Sequence, residues 1–322
     1  MSLARRRAAA QLLDGAGPRP VVAVVRHLLA VQAQDARAWP LALRARGAGD
    51  VVTAPAVGTS PPPGDLVITW LLRGTLHLVA ADDLGPLLGL THHLAERASL
   101  RRREQLGVDP AADGVLLRVL EDGPLDRAGV TAALETAGVR ADGQRVPHLL
   151  AVAAARGRLV LGLDGRYRRT DPPPAGDRDE ALAALARGYL LGHGPASDRD
   201  LAAWAGLPLR DARAGLAAIA GETEDAGDGL LVLANAPVPG EPLAPVLLPA
   251  FDPYLLGWRD RSFAVPPEHA RTVHPGGGII RATMVADGRI VGTWRRDRGR
   301  VLLEPFAPLP RRVRGAFDAL EV

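Results

Sequence analysis

The segment LLAVQAQDARAWP, from Leu28 to Pro40, carries two glutamines, Gln32 and Gln34, separated by one alanine. On a helix, side chains two positions apart diverge by about 200°, so these amides share a site only at a helix end or in an extended link. A glutamine takes no proton from water near neutrality. Its amide oxygen does accept a hydrogen bond, and two amides on one side can hold a water at attacking distance from an electrophilic carbon, a gain from positioning rather than basicity. The competing reading is structural: the pair caps the helix ending near Val31 and bonds loop carbonyls. Asp35 comes next; it suits an N-cap for a helix starting at Ala36 and is the back-up carboxylate should a base be needed.

Further groups stand in strand-like surroundings. In WLLRGTLHLV, strand alternation sets Arg73, Thr75 and His77 on one side. In FDPYLLGWRDR, Asp252 fixes a turn before Pro253, and Arg259 and Arg261 alternate onto one face, where they can reach phosphate or pair with acids. Arg295 and Arg296, followed by Arg298 and Arg300, mark an arginine-bearing hairpin end suited to holding a duplex. The runs Arg5–Arg7 and Arg101–Arg103 either neutralise phosphates or form solvated faces. His92 and His93 are adjacent and diverge on a helix, and no HExxH pattern is present, so metal chemistry is unsupported. HPGGGII lacks the ending of a phosphate-binding loop, and no cofactor is expected.

The elements that must position these groups follow from composition and period. The 322 residues are 47% hydrophobic and 23% charged, which suits several folded modules with real cores. Aromatics are 4%, so the cores rest on Leu, Val and Ala. There is no cysteine, which excludes disulfides and thiolate chemistry, and all 39 basic residues are arginine, whose planar fork suits phosphate and base edges. No apolar run approaches a membrane span and the N-terminus lacks a secretory signal, so a cytoplasmic, nucleoid-associated protein is expected.

One layout recurs along the chain. DGVLLRVLEDGPLDRAGVTAAL predicts two helices around a Gly-Pro turn, and VPHLLAVAAARGRLVLGLDGRYRRT predicts a third helix and two short strands around Asp164-Gly165. Residues 176–243 repeat it, with ETEDAGDGLLVLAN as the hairpin. A looser first copy uses ARRRAAAQLLDG, PVVAVVRHLLAV and ARAWPLALRARG as helices and DLVITWLLRGTLHLVAADD as strands. Three helices and a hairpin make a winged helix. An α+β fold is therefore expected, with three tandem winged-helix units at 1–110, 111–175 and 176–243. Residues 244–322 alternate apolar and polar positions around Asp287-Gly288 and predict an antiparallel, barrel-like part. GTSPPPGD (58–65) and DPPPAGD (171–177) read as surface links. Three winged helices and many arginines point to DNA; a protein-interaction scaffold is the alternative such folds permit.

Four stretches in order, LLAVQAQ (28–34), TWLLRGTLHLV (69–79), LLPAFDPYLLGWRDR (247–261) and DGRIVGTWR (287–295), resemble the AlkZ-type winged-helix DNA glycosylases over nearly the whole chain. The resemblance implies a monomer whose three winged helices and barrel-like part form a concave channel for double-stranded DNA carrying alkylated bases. It implies removal of N7-alkylguanine, in some members unhooking of interstrand crosslinks, and a catalytic Gln-apolar-Gln signature that falls on Gln32, Ala33 and Gln34. Neutral glutamines suffice when the leaving group is already good. An N7-alkylated purine carries a fixed positive charge and leaves without protonation, so cationic alkylpurines are the expected substrates. A noncatalytic winged-helix DNA-binding or regulatory protein is the alternative function.

Overall fold

The computed structural model describes residues 1–15, 17–49, 66–171, 174–236, 238–239 and 242–320, and the fold is α+β. The proposed link at 58–65 lies outside the described residues, as do two prolines of the link at 171–177.

The N-terminal part holds α1 (Leu3–Ala10), α2 (Val21–Leu28), β1 (Val31–Gln32), α3 (Ala38–Arg44), β2 (Leu66–Trp70), β3 (Leu76–Ala80) and α4 (Leu84–Gln105). Next come α5 (Ala112–Val119), α6 (Arg127–Thr136), α7 (Arg145–Ala155) and the hairpin β4 (Leu159–Leu161) and β5 (Tyr167–Arg169). The layout then repeats with α8 (Arg178–His193), α9 (Asp198–Ala205), α10 (Leu209–Ala218), β6 (Thr223–Asp225) and β7 (Leu231–Leu233). Side chains cap these helices as local chemistry requires: Asp126 accepts from Gly129 N–H, Asp177 from Asp179 and Glu180 N–H, and Ser197 with Asp200 forms a capping box.

The hairpins of the first two parts are not separate. Ile68 of β2 pairs with Leu161 of β4, which joins them into one antiparallel sheet of order β1-β3-β2-β4-β5. Leu161 packs into the core of Val24, Leu28, Val31, Ile68 and Leu78, while Trp70 packs into the core of α5–α7.

The C-terminal part contains β8 (Val246–Leu248), α11 (Pro253–Leu256), α12 (Ala270–Val273), β9 (Thr283–Ala286), β10 (Arg289–Asp297), β11 (Arg300–Pro305) and α13 (Arg311–Asp318). The expected Asp287-Gly288 turn joins β9 to β10 with φ of 50° and 78°. The barrel expectation does not hold: among the described residues the sheet runs β11-β10-β9-β8 and stays open. Four short-to-medium strands are too few to close around a filled interior, and α13 instead packs Phe317 beside Trp294 and Met284.

Two glycines of α8 set the end of α2. A methyl group on Gly192 would stand 2.7 Å from the His27 carbonyl oxygen, and one on Gly188 would stand 3.0 Å from Leu29 Cδ2. Glycines four apart on one helix face thus let α2 approach the α8 backbone. Leu29 ends α2 at φ 63°, in a conformation that L side chains rarely adopt, and the chain leaves it extended.

Candidate active site

The exit from α2 determines how the glutamines present themselves. Val31 pairs with Leu78 and Gln32 with His77 in the β1–β3 ladder, and Ala33 N–H donates to the Leu76 carbonyl at 2.8 Å. Alternation then buries Val31 and Ala33 in one core and turns Gln32 and Gln34 the other way. Gln32 Nε2 donates to Gln34 Oε1 at 3.5 Å. Gln32 is half-buried and Gln34 exposed, and neither amide bonds a backbone carbonyl among the described residues. The pair is therefore not spent on capping α2. Ala33 faces the core rather than the amides.

Cross-strand partners share a face, so the row Gln32–His77–Thr69 crosses β1, β3 and β2 on the side of the glutamines. His77 is buried, and its Nδ1–H donates to the Thr75 carbonyl at 2.9 Å. That tautomer leaves Nε2 as an acceptor. Burial, and after it the Arg73 charge, push the His77 pKa down to about 3, so the ring is neutral at any working pH. Thr69, not among the candidates above, is also buried, and its hydroxyl has no hydrogen-bond partner among the described residues. A hydroxyl at an inward position of the apolar strand LVITW was the available signal.

Arg73, Thr75 and His77 do not share one strand face as expected. Leu72–Gly74 forms a short 3-10 turn between β2 and β3, with Arg73 at φ 55°, so alternation stops there. Arg73 reaches instead to the Trp204 carbonyl in the last turn of α9, a favourable place for a cation. Thr75 uses its hydroxyl locally, donating to the Leu72 carbonyl at 3.1 Å.

Arg73 and Arg261 come from stretches far apart in sequence and lie within electrostatic range of each other. Burial and then the Arg261 charge lower the Arg73 pKa; burial lowers that of Arg261, which the Asp260 charge partly offsets. Arg261 Nε donates to the Leu255 carbonyl at 2.5 Å. Among the described residues neither guanidinium forms an ion pair, so two partly buried cations lie within range of each other, where an anion is favoured.

The remaining candidates lie elsewhere. Asp35 does not cap a helix beginning at Ala36: α3 begins at Ala38, and Asp35 Oδ1 accepts from Arg37 N–H at 2.9 Å in a turn that leads into it. Arg259 is exposed, and among the described residues its backbone N–H alone is engaged, donating to Asp200 Oδ1 at 3.0 Å. Arg295 and Arg296 are exposed on β10, where Arg295 pairs with Glu304 at 3.0 Å and Asp297 at 4.0 Å. Asp252 is not only a turn former. It accepts from Tyr254 N–H and binds the fully buried Arg46 through both oxygens, at 2.8 and 3.0 Å. Among the described residues no group of three or more His, Asp or Glu is placed to hold a metal ion, and no helix is long and apolar enough to cross a membrane.

A family model described as DNA glycosylase AlkZ-like matches residues 25–321. The chain is 27% identical over 277 residues to the interstrand DNA cross-link repair glycosylase of Streptomyces sahachiroi, a match covering 76% of this chain and 74% of that protein. Its fold is similar to the solved structure of the Streptomyces sahachiroi DNA glycosylase AlkZ, with a TM-score of 0.73 and 24% identity over 97% of this chain and 94% of that one. The matched span contains every candidate residue from Gln32 to Arg296, and the chain belongs to the DNA glycosylase AlkZ-like family.

Proposed function

We propose that this glycosylase hydrolyses the N-glycosidic bond of cationic N7-alkylated purines in double-stranded DNA, with Gln32 and Gln34 holding the attacking water. The observation that carries the reading is the contact of the two amides on an extended segment, beside a row containing a neutral histidine. With Gln32 Nε2 committed to Gln34 Oε1, the Gln32 oxygen is free to accept from a water. The water oxygen attacks C1′ as the C1′–N9 bond breaks. The bonding pair quenches the fixed charge of the alkylated base, and the water's proton passes to solvent. Basicity contributes little; the rate comes from placement and from the leaving group.

Arg73 and Arg261 supply positive charge for the backbone phosphates around the lesion. Arg259, Arg295 and Arg296 contribute through the wider field, and Thr75 shapes the turn. Asp35 is a turn residue first and a carboxylate in reserve. The chain has no lysine. The amine that bifunctional glycosylases use to form a Schiff base is thus missing from the side chains, which supports a monofunctional, purely hydrolytic reaction. The three helix-plus-hairpin parts act as winged helices (1–110, 111–175, 176–243), with 244–322 as the fourth wall of a monomer. The relative's printed role in cross-link repair supports unhooking as a further reaction of the same site.

The test is base release from a duplex holding a single N7-methylguanine. Wild type should release the base, while Gln32→Ala and Gln34→Ala should each lose about 100-fold or more with duplex affinity unchanged. Salt-sensitive binding without release, on this duplex and on a crosslinked one, would instead assign a noncatalytic DNA-binding role.

A further inference from the structure

Away from the glutamines, a cavity of about 510 Å³ opens where α1, the start of α9, the loop after α11 and the start of β10 meet. Its walls gather four arginines from four distant stretches: Arg7, Arg199, Arg259 and Arg289. Arg7 lies deepest. It is 4% exposed, donates from Nε to the Pro195 carbonyl at 2.9 Å, and lies 4.9 Å from the Trp258 ring and 4.5 Å from that of Phe263. The other three are exposed at the rim, and among the described residues none of their guanidinium groups has an ion pair or hydrogen bond.

Among the described residues two carboxylates also line the cavity, and both are already engaged. Asp200 accepts from the Ser197 backbone and hydroxyl at 3.0 and 2.8 Å and from Arg259 N–H at 3.0 Å, with Arg7 3.5 Å away. Asp260 accepts from the Ser262 backbone and hydroxyl at 3.0 and 2.5 Å. The Arg289 charge reaches Asp287, but that carboxylate is held at two points by Arg5, at 2.6 and 2.5 Å. The described lining is therefore net positive, with three planar forks at its rim that have no ion pair among the described residues. Forks arriving from several directions match the tetrahedral, multiply charged oxygens of phosphate better than a planar carboxylate.

We propose that this cavity is a phosphate-binding site, taking a phosphate of a nucleic-acid backbone or of a free phosphorylated small molecule. It stands apart from the glutamine chemistry and does not rest on it.

The experiment compares the full-length protein with the double variant Arg199→Gln/Arg289→Gln, and with Arg311→Gln/Arg312→Gln as a charge-matched control on α13. The unfolding temperature is followed with pyrophosphate as probe, and duplex affinity as a function of salt. The expected result is a pyrophosphate-induced rise that persists in the control and is lost in the cavity variant. A slope of log K against log salt that falls by about 2 in the cavity variant, and by less in the control, assigns the backbone as the source. An unchanged slope with the pyrophosphate rise lost assigns a free phosphorylated molecule. A slope that moves no more than in the control, with no difference between the proteins in pyrophosphate, overturns the site and leaves the base-release assay untouched.

Discussion

Gln32 Nε2 lies 3.5 Å from Gln34 Oε1, so the two amides face each other on one side of the extended segment. Gln34→Glu keeps an acceptor facing Gln32 Nε2 and should retain activity within about 10-fold. Gln32→Glu removes that donor, so the Gln34 amide must turn over to restore the contact, and should cost more than Gln34→Glu. Single-turnover release of N7-methylguanine measures both, and equal losses would show that the orientation is irrelevant.

No group in the proposed mechanism changes protonation near neutrality, because His77 is already neutral. Base release from a cationic substrate should accordingly be flat between about pH 6 and 8. A rise with a midpoint near 6.5 would place a titrating histidine in the reaction and remove the placement-only account.

Stability behaves differently. Burial holds both His77 and His193 at about 3, below the ordinary histidine value of 6.5. Between those values the unfolded chain binds protons that the folded chain refuses, so stability rises with pH across the window and is lost as pH falls through it. Each histidine contributes a slope of about 1.4 kcal/mol per pH unit there. Urea unfolding at pH 7 and pH 5 should show the loss, and His77→Leu should reduce it.

The α2–α8 approach depends on the absence of a side chain at Gly192. A methyl group meets a backbone oxygen there, which cannot rotate away. Gly192→Ala should destabilise by about 1–3 kcal/mol, and base release should fall more than duplex affinity because α2 leads directly into the glutamine segment. Unfolding midpoints and release rates together decide this; full retention of both would mean that α2 does not set the amide geometry.

Arg46 and Asp252 are both fully buried, and Arg46 also bonds Gln11 Oε1 at 2.8 Å, with Gln11 Nε2 donating to the Gly192 carbonyl at 2.6 Å. Arg46→Met leaves the Asp252 charge buried and uncompensated and should cost about 3–5 kcal/mol. Pairing it with Asp252→Leu should recover part of that loss, as calorimetry of the double variant can show.

Much of this was legible in the sequence because local patterns carry it. The helices around Gly194-Pro195, the Asp164-Gly165 hairpin and the Asp287-Gly288 turn follow from helical period, strand alternation and turn chemistry. The glutamine pair was legible from its spacing, because two positions separated by one alanine share a side only in an extended link or at a helix end. The misses share a cause. Arg73 left its strand because a tight turn with φ 55° replaces the alternation, and Asp35 served a turn because α3 starts two residues later than its side chain suggested. Thr69 became visible only once Ile68 and Leu78 fixed the register that sets it opposite His77. Pairing between distant strands and the breaks between elements belong to tertiary structure, which a single sequence does not spell out.

The ladder contact between Ile68 and Leu161 means that the first two parts of the chain share a continuous sheet. A hinge between them would have to tear that sheet and open the apolar packing of Leu161 and Trp70 on either side. If the chain acts on duplex DNA as proposed, it does so as a stiff template across this span, and the bending needed for a close fit falls to the DNA.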